Sequence, residues 1–90
     1  VPYLAKSLYF IIIRNMKNKA LGIFNDKFIP QFVEQRKKLK LSQADVDVLV
    51  GCATGLVSKW EVGIRKPSGY LMLCWADALK CDLELKPRKN

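Results

Sequence analysis

The sequence predicts an all-α domain of four to five helices closed by a short C-terminal β-strand. Three observations predict it. Apolar residues recur at helical spacing through the middle of the chain, serines and glycines stand where those segments start and stop, and strict alternation begins only after Lys80. Ninety residues allow one domain with a single modest core. The expected organisation is an apolar and basic extension over residues 1–25, a helical domain over 26–80, and a strand with a basic tail over 81–90.

The extension opens with "VPYLAKSLYFIIIRN". Its continuous apolar run, Leu8 to Ile13, is six residues, far short of the roughly 20 that span a bilayer as a helix. Arg14, Lys17 and Lys19 follow that run instead of preceding it, and no small-x-small site comes after, so a secretory signal is a poor fit. Aromatic and β-branched content favours a strand or a short buried segment. Left unpaired it would aggregate, so it is expected to dock on the domain or on a second subunit. Met16 offers an alternative natural start, which would make the residues upstream an artefact of gene calling.

Asp26 and Pro30 place the start of the first helix near Phe28 to Pro30, because proline is tolerated in a first turn. Phe32, Val33 and Leu39 then face inward, with Glu34, Arg36, Lys37 and Lys38 outside. Ser42 opens a second helix over Gln43 to Val50, with Asp45 placed for a capping box and Gly51 as the stop. The "VDVLV" within it also alternates like a strand, but the cap, the glycine and the next helix decide for helix. A third helix is expected from about Ala53 to Val62, terminated by Gly63. After the loop "IRKP", Ser68 caps a fourth helix reaching Leu79, with Leu71, Met72, Trp75, Ala78 and Leu79 as its apolar stripe. Cys81, Leu83 and Leu85 then alternate with Asp82, Glu84 and Lys86, a period of two. A lone strand cannot satisfy its own backbone, so its simplest partner is the same strand of a second subunit across a two-fold axis.

Sixteen Lys and Arg against eight Asp and Glu give a net charge of +8. That suits a polyanionic partner such as nucleic acid, although an anionic membrane surface or plain solubility would also account for it. Cys52, Cys74 and Cys81 lack CxxC spacing and the chain has no histidine, so no metal site is expected. The cysteines read instead as small buried apolar residues of a reducing compartment. The missing histidine removes the commonest general base, and neither GxGxxG nor GxxxxGK[ST] occurs. An enzyme is not expected, and no cofactor is.

The run "RKKLKLSQADVDVLVGCATGLVSKWEVGIRKPSGYLMLCWADALKCDLEL" resembles the Cro/repressor-type, or XRE-like, helix-turn-helix family. The resemblance covers about Phe28 to Leu85. It rests on Leu41-Ser42-Gln43, Gly51, Val57-Ser58-Lys59-Trp60-Glu61, the Gly63 stop, Lys66-Pro67-Ser68 and Ala76-Asp77-Ala78-Leu79, in that order and spacing. It implies a lambda-repressor-like bundle whose third helix enters the major groove of double-stranded DNA, in a cytoplasmic, nucleoid-associated homodimer. The base-facing positions fall on Thr54, Gly55, Ser58 and Lys59. Lys59 can donate to guanine O6 and N7, and Thr54 can bond either base type or set its methyl against thymine. Gly55 has no side chain to read with and would allow close approach. Ser42 and Gln43, at the start of the second helix, fall at phosphate-contacting positions, with Arg65 and Lys66 flanking the groove.

Arg36 and Glu61 stand where the family often places a partly buried ion pair, a structural role. Three positions depart from the pattern. Asp47 replaces a small residue between the second and third helices, so its carboxylate must be hydrogen-bonded or the helices must dock apart. Ala53 replaces the usual capping hydroxyl, leaving Thr54 as a substitute, and Lys40 stands where glycine or asparagine is frequent. The ending "CDLELKPRK" resembles antitoxin-type repressors, in which Cys81, Leu83 and Leu85 would lie in a dimerisation strand. Two functions follow: a sequence-specific transcriptional regulator, or an antitoxin-like module that uses the same fold mainly to bind a toxin or other protein.

Overall fold

The structure, a computed structural model, describes residues 18–89. The expectations for "VPYLAKSLYFIIIRN", strand or buried docking segment, lie outside the described residues. Helical backbone runs over residues 18–23, continues through a π-type segment at Phe24–Phe28, and passes into α1 (Ile29–Lys38). Then come α2 (Gln43–Val50), α3 (Leu56–Val62) and α4 (Gly69–Ala78).

The first helix therefore begins well before the expected Phe28 to Pro30 start. Pro30 does sit at the beginning of α1, but the chain ahead of it is already helical. Proline has no N–H for the carbonyl four residues back, and its ring collides with that carbonyl. The backbone answers by widening its register just upstream, where the Ile29 N–H bonds the Phe24 carbonyl, five residues earlier. The widened turn also stacks Phe24 on Phe28 at 5.8 Å, and Phe28 meets Phe32 at 5.4 Å.

That aromatic series leads into the core. Phe32 stacks on Trp75 of α4 with ring centroids 4.1 Å apart, and Trp75 meets Trp60 of α3 at 5.2 Å. Ile29, Val46, Val57, Ala76 and Leu79 complete the buried cluster, so every helix contributes to one core. Gln35 adds a polar tie, donating from Nε2 to the Leu79 carbonyl at 3.2 Å.

The helix ends follow their expected residues. At Ser42 the capping box is complete: Ser42 Oγ accepts the Asp45 N–H, and Asp45 Oδ2 accepts the Ser42 N–H. Ser68 Oγ accepts the Leu71 N–H at the start of α4. Gly51 and Gly63 close α2 and α3 in left-handed conformations, φ 80° and 83°. Lys40 and Lys80 take the same conformation after α1 and α4, φ 57° and 59°, without being glycine. A lysine thus does the work of the usual terminator in both places.

No strand forms among the described residues, and Cys81–Lys89 is irregular. Among the described residues that segment has no second strand to pair with, so period-two patterning does not by itself make a ladder. Leu83 instead packs on the chain's own core, while Leu85 is 99% exposed. Cys81 is exposed too, against the expectation of three buried cysteines; Cys52 and Cys74 are half-buried.

Candidate nucleic-acid interface

The α2–α3 pair is the candidate site, and its geometry is fixed by two carboxylates. Asp47, in the middle of α2, is buried at 4% exposure. Its Oδ2 accepts the Gly55 N–H at 2.8 Å and its Oδ1 accepts the Val57 N–H at 2.9 Å. The side chain of one helix thereby caps the start of the next. Of the two sequence-based outcomes for Asp47, the hydrogen-bonded one holds. The cap expected of Thr54 falls to Asp47, and α3 begins at Leu56, three residues later than the expected Ala53.

The turn between the helices is built on the same residue. The Asp47 carbonyl accepts the N–H groups of Gly51 and Cys52 at 3.0 and 3.1 Å. The Cys52 thiol lies 3.6 Å from Oδ1 and 3.7 Å from that carbonyl. Burial and the adjoining Asp47 carboxylate raise the Cys52 pKa, which keeps the thiol protonated as a donor. Gly55, with φ 85°, is the residue on which the chain turns into α3.

At the other end of α3, Glu61 is held from α1. Arg36 grips it with Nε to Oε2 at 2.7 Å and Nη2 to Oε1 at 3.0 Å, and Arg36 Nη1 donates to the Leu41 carbonyl. Gln43 Nε2 also donates to Glu61 Oε1, at 2.9 Å. This brings the start of α2 beside the last turn of α3, while Asp47 meets its first turn, so the two helices run in opposite senses. The expected ion pair is present, and Gln43 joins it, a role the sequence did not suggest.

The remaining candidates can now be placed. Val57 and Trp60 are buried and hold α3 against the core. Lys59 is exposed on the same helix, and Ser58 is half-buried. Thr54 is exposed, in the turn ahead of α3 rather than on it. Arg65 and Lys66 are exposed in the loop after Gly63, and Ser42 is exposed at the start of α2. Gln43 is half-buried, and one of its two amide hydrogens is committed to Glu61. Val62, at the end of α3, and Ile64, just after Gly63, are exposed apolar residues. Among the described residues, no helix is long and apolar enough to cross a membrane.

Comparison with known proteins agrees with this geometry. Residues 33–86 match the family described as Helix-turn-helix, a span containing α2, α3 and α4. A 47-residue stretch, 52% of this chain, is 38% identical to the repressor protein C2 of Salmonella phage P22. It spans 22% of that repressor's length, so the rest of the repressor has no counterpart in the match. No solved structure matches the chain.

Proposed function

The chain belongs to the Cro/repressor-type helix-turn-helix family, and from that premise we propose that it is a sequence-specific DNA-binding transcriptional repressor. The observation that carries this reading is α3 itself. Its inner side is locked by Val57, Trp60 and Glu61, and Lys59 is exposed on the outside. Thr54, Ser58 and Lys59 supply the groups that meet base edges, and Gly55 lets the backbone approach. Ser42, the second amide hydrogen of Gln43, Arg65 and Lys66 meet phosphates on either side of the groove. The net charge of +8 supplies the long-range attraction.

The repressor acts as a homodimer on a two-fold symmetric operator, its reading helices about 34–36 Å apart. The alternating segment of Cys81, Leu83 and Leu85 pairs with its copy across the axis; Leu85, fully in solvent, supports this. Ending the chain after Leu79 should then leave monomers by light scattering.

The test is selection of duplexes from a random-sequence pool, followed by anisotropy titration at two salt concentrations. A repressor retains a selected sequence against competitor, with affinity falling steeply in salt. Lys59→Ala should relax sequence preference, costing about 1–3 kcal/mol of discrimination, whereas Lys66→Ala should weaken all duplexes alike. Weak binding that is equal for every duplex and vanishes in salt would overturn the reading in favour of an antitoxin-like protein-binding module.

A further inference from the structure

Resting on the reading of α3 as the base-reading helix, we infer that Asp47 is the residue that positions that helix for sequence recognition. Its oxygens gather five donors: the N–H groups of Gly51, Cys52, Gly55 and Val57, and the Cys52 thiol. These donors span the whole turn and the first turn of α3. Among the described residues no other side chain caps α3, and Gly55, at its N-cap, has none to offer.

A helix of seven residues cannot hold its own conformation, because nucleation costs more than so few bonds return. Its direction must come from outside. Trp60 and Glu61 fix the second half of α3 to the core and to Arg36. Among the described residues only Asp47 fixes the first half by directed side-chain bonds, and that half leads from Thr54 to Ser58 and Lys59. Among the described residues Asp47 has no cationic partner. Its charge is balanced instead by two N–H groups at the positive end of α3. A carboxylate so placed selects one orientation of those N–H vectors, and with it one presentation of Thr54 and Lys59.

The arrangement also explains why a capping hydroxyl at position 53 is dispensable. With the cap supplied from α2, α3 starts late, and the exposed Ala53 and Thr54 lead into it through the half-buried Gly55. The residues ahead of the helix thereby become part of the reading surface.

Asp47→Ala and the near-isosteric Asp47→Asn test this in the full chain, at temperatures where circular dichroism shows each variant folded. The first readout is the ratio of affinity for the selected duplex to affinity for an unrelated one. Asp47→Ala should lower that ratio at least tenfold, about 1.4 kcal/mol, with non-specific affinity unchanged; Asp47→Asn, keeping one acceptor, should fall between. A cap with a merely structural role would lower the melting temperature and leave the ratio intact, and that result overturns the inference. The second readout needs no DNA: amide hydrogen exchange at Gly55 and Val57 should accelerate in both variants relative to Trp60. Unchanged exchange there would overturn the positioning role even if the parent selects no duplex. Accelerated exchange in the variants, together with a parent that selects no duplex, would instead sink the DNA-reading assignment alone. If Asp47→Ala fails to fold, Asp47→Asn carries both readouts.

Discussion

At its start, α3 is held by a carboxylate from α2 that accepts two backbone N–H groups; at its end, its own Glu61 accepts a guanidinium and a carboxamide. Both carboxylates are nearly out of solvent, with Asp47 4% exposed and the Glu61 side chain 6%. They differ in what they can be exchanged for. The partners of Glu61 are side chains, so the ion pair can be replaced as a unit. The partners of Asp47 are the backbone of the helix it positions, so it has no replaceable other half. A pair of charges fastens α1 to α3, and a single charge aims α3.

The largest effect should come from breaking the ion pair on one side. Glu61→Ala leaves Arg36 half-buried without its carboxylate. Removing one partner of a buried pair costs about 3–5 kcal/mol. The lower end is expected, because Arg36 keeps its bond to the Leu41 carbonyl. At about 3 kcal/mol the melting temperature should fall by more than about 10 °C in a domain of this size. Replacing both residues, Arg36→Met with Glu61→Met, should return stability to within about 1 kcal/mol of the parent, since well-packed apolar groups often match a buried pair. Thermal melts by circular dichroism check both. A double variant as unstable as Glu61→Ala would show that the two ends of α3 are held by equally irreplaceable contacts.

A smaller effect separates the cap from the turn it rests on. Gly55 takes φ 85°, yet a Cβ built there meets nothing within 4 Å. Gly55→Ala therefore adds conformational strain without a clash, about 1–2 kcal/mol, and leaves the N–H to Asp47 in place. Gly55→Asn should recover most of that loss, because asparagine tolerates the left-handed region. Equal losses for both, measured by urea midpoints, would mean that close packing rather than backbone conformation requires glycine.

Much of this was legible in the sequence because capping is local. Ser42 with Asp45, Ser68, Gly51 and Gly63 each marked a helix end, and each acts within a few residues of itself. Phe32 and Trp75 were legible as core because helical spacing sorts them to the apolar side of their helices. The start of α3 was misplaced at Ala53 because its cap comes from eight and ten residues away, through Asp47, across a turn. No local pattern announces a cap supplied by another helix; the sign was a carboxylate where a small residue was expected. The early start of the first helix was missed for the opposite reason. Pro30 is a strong local signal, and the widened turn that accommodates it leaves no residue signature. The alternation after Lys80 is real as a pattern, but strand formation depends on a second backbone, and none pairs with it among the described residues.

The smallest effect concerns Asp45, the exposed carboxylate of the α2 capping box, which contrasts with both buried ones. The Ser42 backbone N–H, and then the Ser42 hydroxyl, hold its carboxyl below the ordinary value of 3.8. A folded-state pKa below the unfolded one means that the ionised form is favoured by folding. Its contribution is therefore complete above the unfolded value and is lost as pH falls through the folded one. Asp45→Asn should lower stability near neutral pH slightly and flatten the decline that the parent shows below about pH 4. Urea midpoints at about pH 6 and about pH 3 give the comparison. If the variant declined as steeply as the parent, acid sensitivity would reside elsewhere and the capping box would be a packing feature rather than an electrostatic one. Because Asp45 lies at the end of α2 where Ser42 and Gln43 are proposed to meet phosphate, the same substitution removes a like charge beside the DNA backbone. Duplex affinity should therefore rise modestly for every sequence while stability falls, whereas Asp47→Ala is expected to lower the specificity ratio and leave non-specific affinity unchanged.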